Sequence, residues 1–371
     1  MEGAMPDVPT RPEEPESGRA AVRSVQRTGL SSLAVTLPKA WTQAFNVRSG
    51  SLVRFQDLGE GRLEVSLAGQ LADGGSRTLS LDATDLAPSL VARLLVGAYI
   101  TGQDRIVLTS PEEFPVSLRE EVARIAQRVL GMSLIEDEGR RLEVQVFLDP
   151  TKHRLPSLLD RVVRMVRMEV ELCERALHRS NPALLRQVAQ VEEEIDRFYL
   201  LIARQILLAS NDFQVARDIG VPSHHYQLGY RVVVKMLEVA GDLVATIAIE
   251  LEPDLPGGKD AEELVAQLEA FDAVLVRTMT AFREVSASEA HEALTQIEGW
   301  IEQEEKLSAA LIGRSRDKVG AARLQKILSS LGTAMEMLGV VNEITINRSV
   351  EPETVARTGG HPVLARPSPA A

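Results

Sequence analysis

The chain has 371 residues, and the usual size of about 100–200 residues per domain predicts two or three domains. Apolar residues make up 44% and charged residues 25% of the sequence, which excludes a wholly disordered, collagen-like or membrane-embedded chain. Aromatic residues are only 4%, and Leu, Val, Ala, Glu and Arg are abundant, which favours helices over a β-sandwich. The single cysteine, Cys173, excludes an intrachain disulfide and a cysteine-based zinc site. We therefore expect a cytoplasmic protein with Cys173 buried in its core.

The two ends of the chain are predicted to be disordered tails. Residues 1–20 are rich in Pro and Glu and lack the apolar core of a secretion signal or an anchor. Residues 351–371 turn to Pro, Gly and Ser. The most apolar uncharged stretch, 94–103, has ten residues, whereas a membrane-spanning helix needs about 20. We expect no insertion into a membrane.

Charge is unevenly distributed along the sequence. The net charge is −12, but residues 19–54 carry six basic residues and no acidic one, which leaves −18 on the other 335 residues. This contrast predicts a small basic module attached to a large acidic body, with a different task for each. The alternative is that the six bases only solvate the surface.

The basic module, residues 21–68, is predicted to be a small β domain. Four short apolar runs separated by glycines indicate four strands. Pro38 opens a brief helical turn between the second and third of them. About 45 residues bury too little apolar surface to be stable alone. The module is therefore expected to form an obligate homodimer.

Residues 76–149 are predicted to form a small α/β domain. The pattern indicates a strand, a helix over 88–101, a second strand, a helix over 117–130 and two further strands. On the first helix, Leu90, Leu94, Leu95 and Ala98 are expected to contact the sheet. No catalytic motif is found in this segment.

From about residue 155 the sequence predicts six long helices. Apolar residues recur at steps of four and three, as in the seams of a helical bundle. Breaks fall at 180–182, around 222, at 253–258, at 286–288 and at 313–320. The helices divide into 155–251 and 260–350. A constant shift of 98 residues aligns Leu237 with Met335, Glu238 with Glu336 and Gly241 with Gly339, which predicts two copies of a three-helix unit.

Two acidic pairs stand beside the seams of the first copy. Glu192 and Asp196 are four residues apart, as are Glu238 and Asp242, so each pair lies on one face of a helix. Like charges at this spacing repel each other, and a cation would neutralise them. Carboxylates from several helices are also the ligands of metal sites in helical bundles. The four side chains are therefore candidate metal ligands.

A simpler interpretation remains open, in which these carboxylates are solvated and paired with Arg197 or Lys235. The second copy supplies fewer acidic candidates, namely Glu298, Glu302 and Glu336, and Val340 stands where Asp242 would recur. The histidines are scattered without metal-binding spacing and are expected on loops or at the surface.

At the acidic pairs the sequence resembles the PhoU family. VEEEIDRFYLLIARQ and LEVAGDLVATIA are similar to its E-x-x-x-D helices, and residues 238–242 stand where its second signature typically reads ERIGD. The arginine of that signature is replaced by Val239, and by Met337 in the second copy. The resemblance covers about residues 155–350. It implies a six-helix bundle in a non-enzymatic regulator of phosphate uptake, with iron or zinc held by Glu192, Asp196, Glu238 and Asp242.

The basic module resembles the SpoVT/AbrB swapped-hairpin DNA-binding domain. The segment VQRTGLSSLAVTLPKAWTQAFNVRSGSLVRF has Pro38, Lys39, Trp41, Val47 and Gly50 at the expected places. Ser51 stands where that family commonly has Asp. A few prokaryotic regulators join both domains in this order.

Together the two resemblances predict a transcriptional or signalling regulator of phosphate transport. DNA would be contacted by Arg23, Arg27, Lys39, Arg48 and Arg54, mostly at phosphates. The acidic bundle would sense or dock. The alternative is a dimeric adaptor that never touches DNA and inhibits a phosphate ABC transporter or its sensor kinase by protein contact. An enzyme is disfavoured, since the sequence has no GxSxG, P-loop or dinucleotide-binding glycine motif.

Overall fold

A computed structural model describes the following residues: 22–29, 31–59, 61–67, 77–221, 223–314 and 318–351. The predicted tails therefore lie almost wholly outside the described residues. The chain divides into two compact units, one ending at Gly75 and the other beginning at Ser76. The protein is mostly helical, as predicted, with small β elements in its N-terminal unit. None of its described helices is long and apolar enough to cross a membrane.

The N-terminal unit contains the four predicted strands and the predicted helical turn. They are β1 (Gln26–Thr28), β2 (Ser32–Ala34), α1 (Lys39–Ala44), β3 (Val53–Gly59) and β4 (Arg62–Leu67). β1 pairs antiparallel with β2, and β3 pairs antiparallel with β4. Pro38 is the N-cap of α1. Among the described side chains of residues 22–67 none is buried.

The second unit begins with a four-stranded sheet covered by two helices. The elements are β5 (Thr78–Asp82), α2 (Pro88–Ile100), β6 (Arg105–Thr109), α3 (Val116–Arg128), β7 (Met132–Asp137) and β8 (Arg141–Val146). The strand order is β5-β6-β8-β7. β5 and β6 are parallel, joined by the crossover helix α2, and the other neighbouring pairs are antiparallel. We call residues 77–149 the α/β layer.

Two expectations for α2 are wrong. Leu95 and Ala98 are buried as predicted, but Leu90 and Leu94 are 45% and 36% exposed. Val91, Ala92 and Tyr99 complete the buried face instead. The helix is apolar on most of its circumference, so its composition does not identify which side meets the sheet.

Six long helices follow, in two groups of three along the chain. The first group is α4 (Leu155–Arg179), α5 (Val188–Asn211) and α7 (His224–Leu251), with the short α6 (Phe213–Asp218) before α7. The second group is α8 (Lys259–Glu284), α9 (Ala287–Arg314) and α10 (Lys318–Ser349). Their aliphatic stripes share one core, which includes Cys173 with no exposed surface. Ser180, in the left-handed conformation at a φ of 48°, ends α4.

A buried polar joint connects α5 with the α/β layer. The Arg204 guanidinium donates to the carbonyl oxygens of Tyr99 (2.6 Å) and Gln103 (2.8 Å) and to a carboxylate oxygen of Asp104 (2.5 Å). The next residue, Gln205, donates to the carbonyl oxygens of Pro150 and His153, in the segment that directly follows the α/β layer. These bonds satisfy backbone acceptors that would otherwise be buried without donors. α5 is therefore shared by the two parts of the second unit.

Candidate functional site

The two predicted acidic pairs lie on neighbouring helices. Glu192 and Asp196 belong to α5, Glu238 and Asp242 belong to α7, and these two helices pack against each other. Glu238 is only 6% exposed, Glu192 and Asp196 are half-buried, and Asp242 is exposed. The four carboxylates are not equivalent, because they interact with different partners.

Asp196 and Glu238 are ion-paired. Asp196 accepts from Arg128, the last residue of α3 in the α/β layer. Glu238 accepts from the Lys235 ammonium one helical turn earlier, at 2.6 Å. The predicted partner Lys235 is therefore confirmed for Glu238, whereas Arg197 pairs with Glu194 instead. Each of these two carboxylates already has a cation inside the protein.

A small cavity adjoins these ion pairs. Its volume is about 160 Å³. Asp196, Glu238, Arg128 and Tyr199 line it together with four aliphatic side chains, Val96, Ile125, Val129 and Leu200. α2 and α3 of the α/β layer thus contribute to the surroundings of the acidic pairs.

The other two carboxylates, Glu192 and Asp242, both interact electrostatically with Glu169 of α4. Glu169 has no exposed surface. Within the described part of the chain, neither of its carboxylate oxygens has a hydrogen-bond partner, and the same is true of both oxygens of Glu192. Buried polar atoms are rarely left unpaired, because each unmade hydrogen bond costs about 1–3 kcal/mol. This group, Glu169, Glu192 and Asp242, is called the acidic cluster below.

Gly241 provides the space in which two of these carboxylates meet. A Cβ atom at this position would lie 3.0 Å from Oε2 of Glu192 and 3.3 Å from Oε2 of Glu169. It would also lie 3.1 Å from Cδ1 of Ile195. Any larger residue would press on both carboxylates, so the glycine lets α7 approach the side chains from α4 and α5.

The electrostatics of the acidic cluster favour the uncharged forms of Glu169 and Glu192. Burial, together with the charge of Glu192, raises the pKa of Glu169 to about 11. Burial is the main cause that raises the pKa of Glu192 to about 8, and the neighbouring Asp242 carboxylate adds to it. Burial also raises the pKa of Glu238, against the opposing effect of Lys235. Without a positive ion, Glu169 holds a proton at neutral pH.

The chemistry of the donors fits a metal ion. Three carboxylates from three helices supply the oxygen ligands that hard and borderline cations prefer. The unpartnered oxygens of Glu169 and Glu192 are positions at which a cation would replace missing donors. The side chains are not prearranged as ligands, since no three His, Cys, Asp or Glu groups in the described part of the chain stand around a common point. Binding therefore requires rotation of the glutamate side chains.

The candidate ligands of the second copy lie at the surface. Glu298 and Glu302 of α9 and Glu336 of α10 are all exposed. Glu336 occupies the position that corresponds to the buried Glu238 under the predicted shift of 98 residues. The two positions thus differ in burial.

The predicted DNA-contacting residues lie in the N-terminal unit and are all exposed. Arg27 lies in β1, Lys39 begins α1 and Arg54 lies in β3, while Arg23 and Arg48 lie outside the regular elements. The Arg48 guanidinium donates to Asn46, and its backbone N–H donates to the Ser51 hydroxyl. Ser51 thus accepts a hydrogen bond in this turn.

Two residues of this region escaped the sequence reasoning, Glu169 and Arg204. Both could have been recognised in the sequence, because each is a charged residue that interrupts an otherwise apolar stripe of a helix. Glu169 stands between Val166 and Cys173 at helical spacing, and Arg204 stands between Leu201 and Leu208. A charge at a core position of a helix indicates a partner from another element.

The fold and this carboxylate arrangement define a class of helical bundle with paired acidic residues on adjacent helices. Residues 159–251, which span α5, α7 and all but the first turn of α4, match the model of the PhoU domain. No curated protein matches the chain. Among solved structures, the chain is similar to the phosphate transport system regulatory protein PhoU from Streptococcus pneumoniae, with 15% identity and a TM-score of 0.45. That similarity covers 53% of this chain and 93% of the other.

Proposed function

We propose that this protein is a non-enzymatic regulator of phosphate transport. The observation that supports this proposal most is the match of residues 159–251 to the PhoU domain. The matched segment contains both acidic pairs and the glycine between the carboxylates of α4 and α5. The helical bundle of the second unit senses phosphate status or docks on a component of phosphate transport.

The N-terminal unit works as a homodimer in this proposal. Its described side chains include no buried residue, so a single copy has no core of its own. Large apolar side chains are left open to solvent, among them Leu33 (70% exposed), Phe55 (57%) and Leu63 (59%). A second copy that interleaves its hairpins with these would cover them and supply the missing core. This is the arrangement implied by the resemblance to SpoVT/AbrB domains.

DNA is the proposed partner of that dimer. Arg23, Arg27, Lys39, Arg48 and Arg54 are all exposed, and a dimer presents each of them twice. Such residues neutralise phosphates and release counterions, which makes binding sensitive to salt. The acidic remainder of the chain is repelled by DNA and is free for sensing.

Iron or zinc is the proposed cofactor of the bundle, held by carboxylates of α5 and α7. The bound ion would neutralise carboxylates that repel one another and so stabilise the packing of α4, α5 and α7. Asp196 and Glu238 are ion-paired, whereas no ion pair to Glu192 or Asp242 is seen among the residues that the structure describes. The residues of the chain bind and orient the ion, and no chemical reaction is assigned to it.

The dimeric adaptor remains the second candidate function. It is favoured because the exposed apolar surface of the N-terminal unit can be explained by dimerisation alone, without DNA. A variant with Arg23, Arg27 and Arg48 replaced by Ala distinguishes the two. Phosphate-responsive gene expression is measured in cells that produce the variant in place of the wild type. Loss of regulation with the dimer intact supports DNA binding, whereas unchanged regulation supports the adaptor.

A further inference from the structure

The acidic cluster differs from the ligand set that the two E-x-x-x-D pairs would supply. Glu169 belongs to neither pair and lies on a different helix, α4. It is fully buried, and none of the described residues donates a hydrogen bond to either of its carboxylate oxygens. A buried carboxyl group in such surroundings needs a proton or a cation.

The oxygen atoms of Glu169 and Glu192 approach the same point of α7. Oε2 of each carboxylate lies within 3.3 Å of the position where Gly241 would carry a Cβ atom. The negative charge of Asp242, the next residue, raises the pKa of both glutamates. Asp242 is exposed, whereas Glu169 is fully buried, so the acidic cluster extends from the core of the bundle to its surface.

Asp196 and Glu238 are committed elsewhere. Arg128 reaches Asp196 from the α/β layer, and Lys235 donates to both oxygens of Glu238. Recruiting either carboxylate to a cation would leave its basic partner without a counterion. Arg128 also contacts α5 through its backbone, since its carbonyl oxygen accepts from the Arg197 guanidinium at 3.2 Å. The Arg128–Asp196 pair thus fastens the α/β layer to α5.

We propose that the cation of this chain is bound by Glu169, Glu192 and Asp242, one carboxylate from each of three helices. In this arrangement Asp196 and Glu238 are not ligands. They hold Arg128 and Lys235, and Asp196 keeps the α/β layer in contact with the bundle. The inference rests on the proposed function, in which the bundle binds a divalent metal ion, and assigns the ligands of that ion.

Three oxygen donors leave coordination positions of a divalent ion open to water. Carboxylate oxygens are the donors that hard and borderline cations prefer, so such a cation suits the acidic cluster. Its side chains rotate toward the ion on binding, because they are not prearranged in the described structure.

The test is a titration of the full-length protein with Zn²⁺ alone, monitored by calorimetry. The thermal shift of the loaded protein is measured as a second readout. Glu169→Gln is compared with Glu171→Gln, a matched control on the same helix whose side chain is exposed and pairs with Arg175. Glu169→Gln and Asp242→Asn are expected to lose the stoichiometric ion and its thermal shift. Asp196→Asn and Glu171→Gln are expected to keep both.

The outcomes separate this inference from the proposed function. If Asp196→Asn loses the ion and Glu169→Gln keeps it, the ligands are those of the E-x-x-x-D pairs and the inference is wrong, while the metal-binding bundle stands. If the wild type takes up no stoichiometric Zn²⁺, the acidic cluster holds protons, and the metal assignment and this inference are both wrong. Circular dichroism of Glu169→Gln shows whether a loss reflects unfolding, and Asp242→Asn at the exposed end then decides.

Discussion

Replacing Arg204 by Met tests how firmly the α/β layer is held on the bundle. The side chain is 1% exposed and makes three hydrogen bonds, to two carbonyl oxygens and to Asp104. Methionine keeps much of the aliphatic volume and removes every donor. Breaking a buried ion pair by removing one partner costs about 3–5 kcal/mol. Asp104 is 36% exposed and regains water, so we expect a loss near the lower end, about 3 kcal/mol.

The loss is measured as the shift of the urea midpoint, followed by far-ultraviolet circular dichroism. Hydrogen exchange at residues 97–104 is expected to rise in the same variant. The matched control is Arg186→Met, because the Arg186–Glu252 pair is 73% and 39% exposed and such pairs contribute less than about 1 kcal/mol. A loss for Arg204→Met no larger than that of the control would refute the role of this joint.

Three further predictions concern the acidic cluster, a half-buried carboxyl group and the N-terminal unit. Gly241→Ala should weaken Zn²⁺ binding in calorimetry, because its Cβ displaces Glu192; unchanged affinity contradicts this. Burial and neighbouring carboxylates raise the pKa of Glu174 to about 7. Glu174 therefore binds its proton more tightly in the folded than in the unfolded state, and the free energy of unfolding falls as pH rises from about 4.5 to 7. Glu174→Gln should therefore flatten the pH dependence of the urea midpoint, whereas Glu120→Gln, at an exposed site, should not. Phe55→Ser should weaken self-association in sedimentation; a monomeric wild type refutes it.

The positions of the helices were predictable because core packing leaves a periodic trace in the sequence. The break expected at 253–258, for example, separates α7, which ends at Leu251, from α8, which begins at Lys259. Proline and glycine end helices for local reasons, so no distant contact needs to be known. α2 shows where this reasoning stops. Its apolar residues occupy most of its surface, and only the sheet decides that Leu95 is buried and Leu94 is not.

The partners of the charged residues could not be read in the same way. Asp196 meets Arg128, and Glu192 meets Glu169, across loops whose course the sequence pattern does not specify. The spacing of Glu192 and Asp196 shows that they lie on one face of a helix. It does not show which neighbouring element each side chain meets. Tertiary packing therefore divides four carboxylates that look equivalent in the sequence into two that are ion-paired and two that adjoin Glu169.

The division of tasks between the basic N-terminal unit and the acidic bundle is tested most directly by the salt dependence of DNA binding. The full-length protein is titrated against DNA from the promoter of its own gene at several salt concentrations. If all five basic residues of both chains contact phosphates, log K falls with log salt at a slope of about −9. Arg23, Arg27 and Arg48 replaced by Ala leave four contacts per dimer and a slope of about −4.

A control variant removes the same charge from the second unit, where Arg93, Arg164 and Arg179 are exposed. We expect the wild type and this control to share the steep slope, and the N-terminal variant to bind weakly with a shallow one. Absence of salt-sensitive binding by the wild type, or an equal slope for all three proteins, would contradict the assignment of DNA to the N-terminal unit.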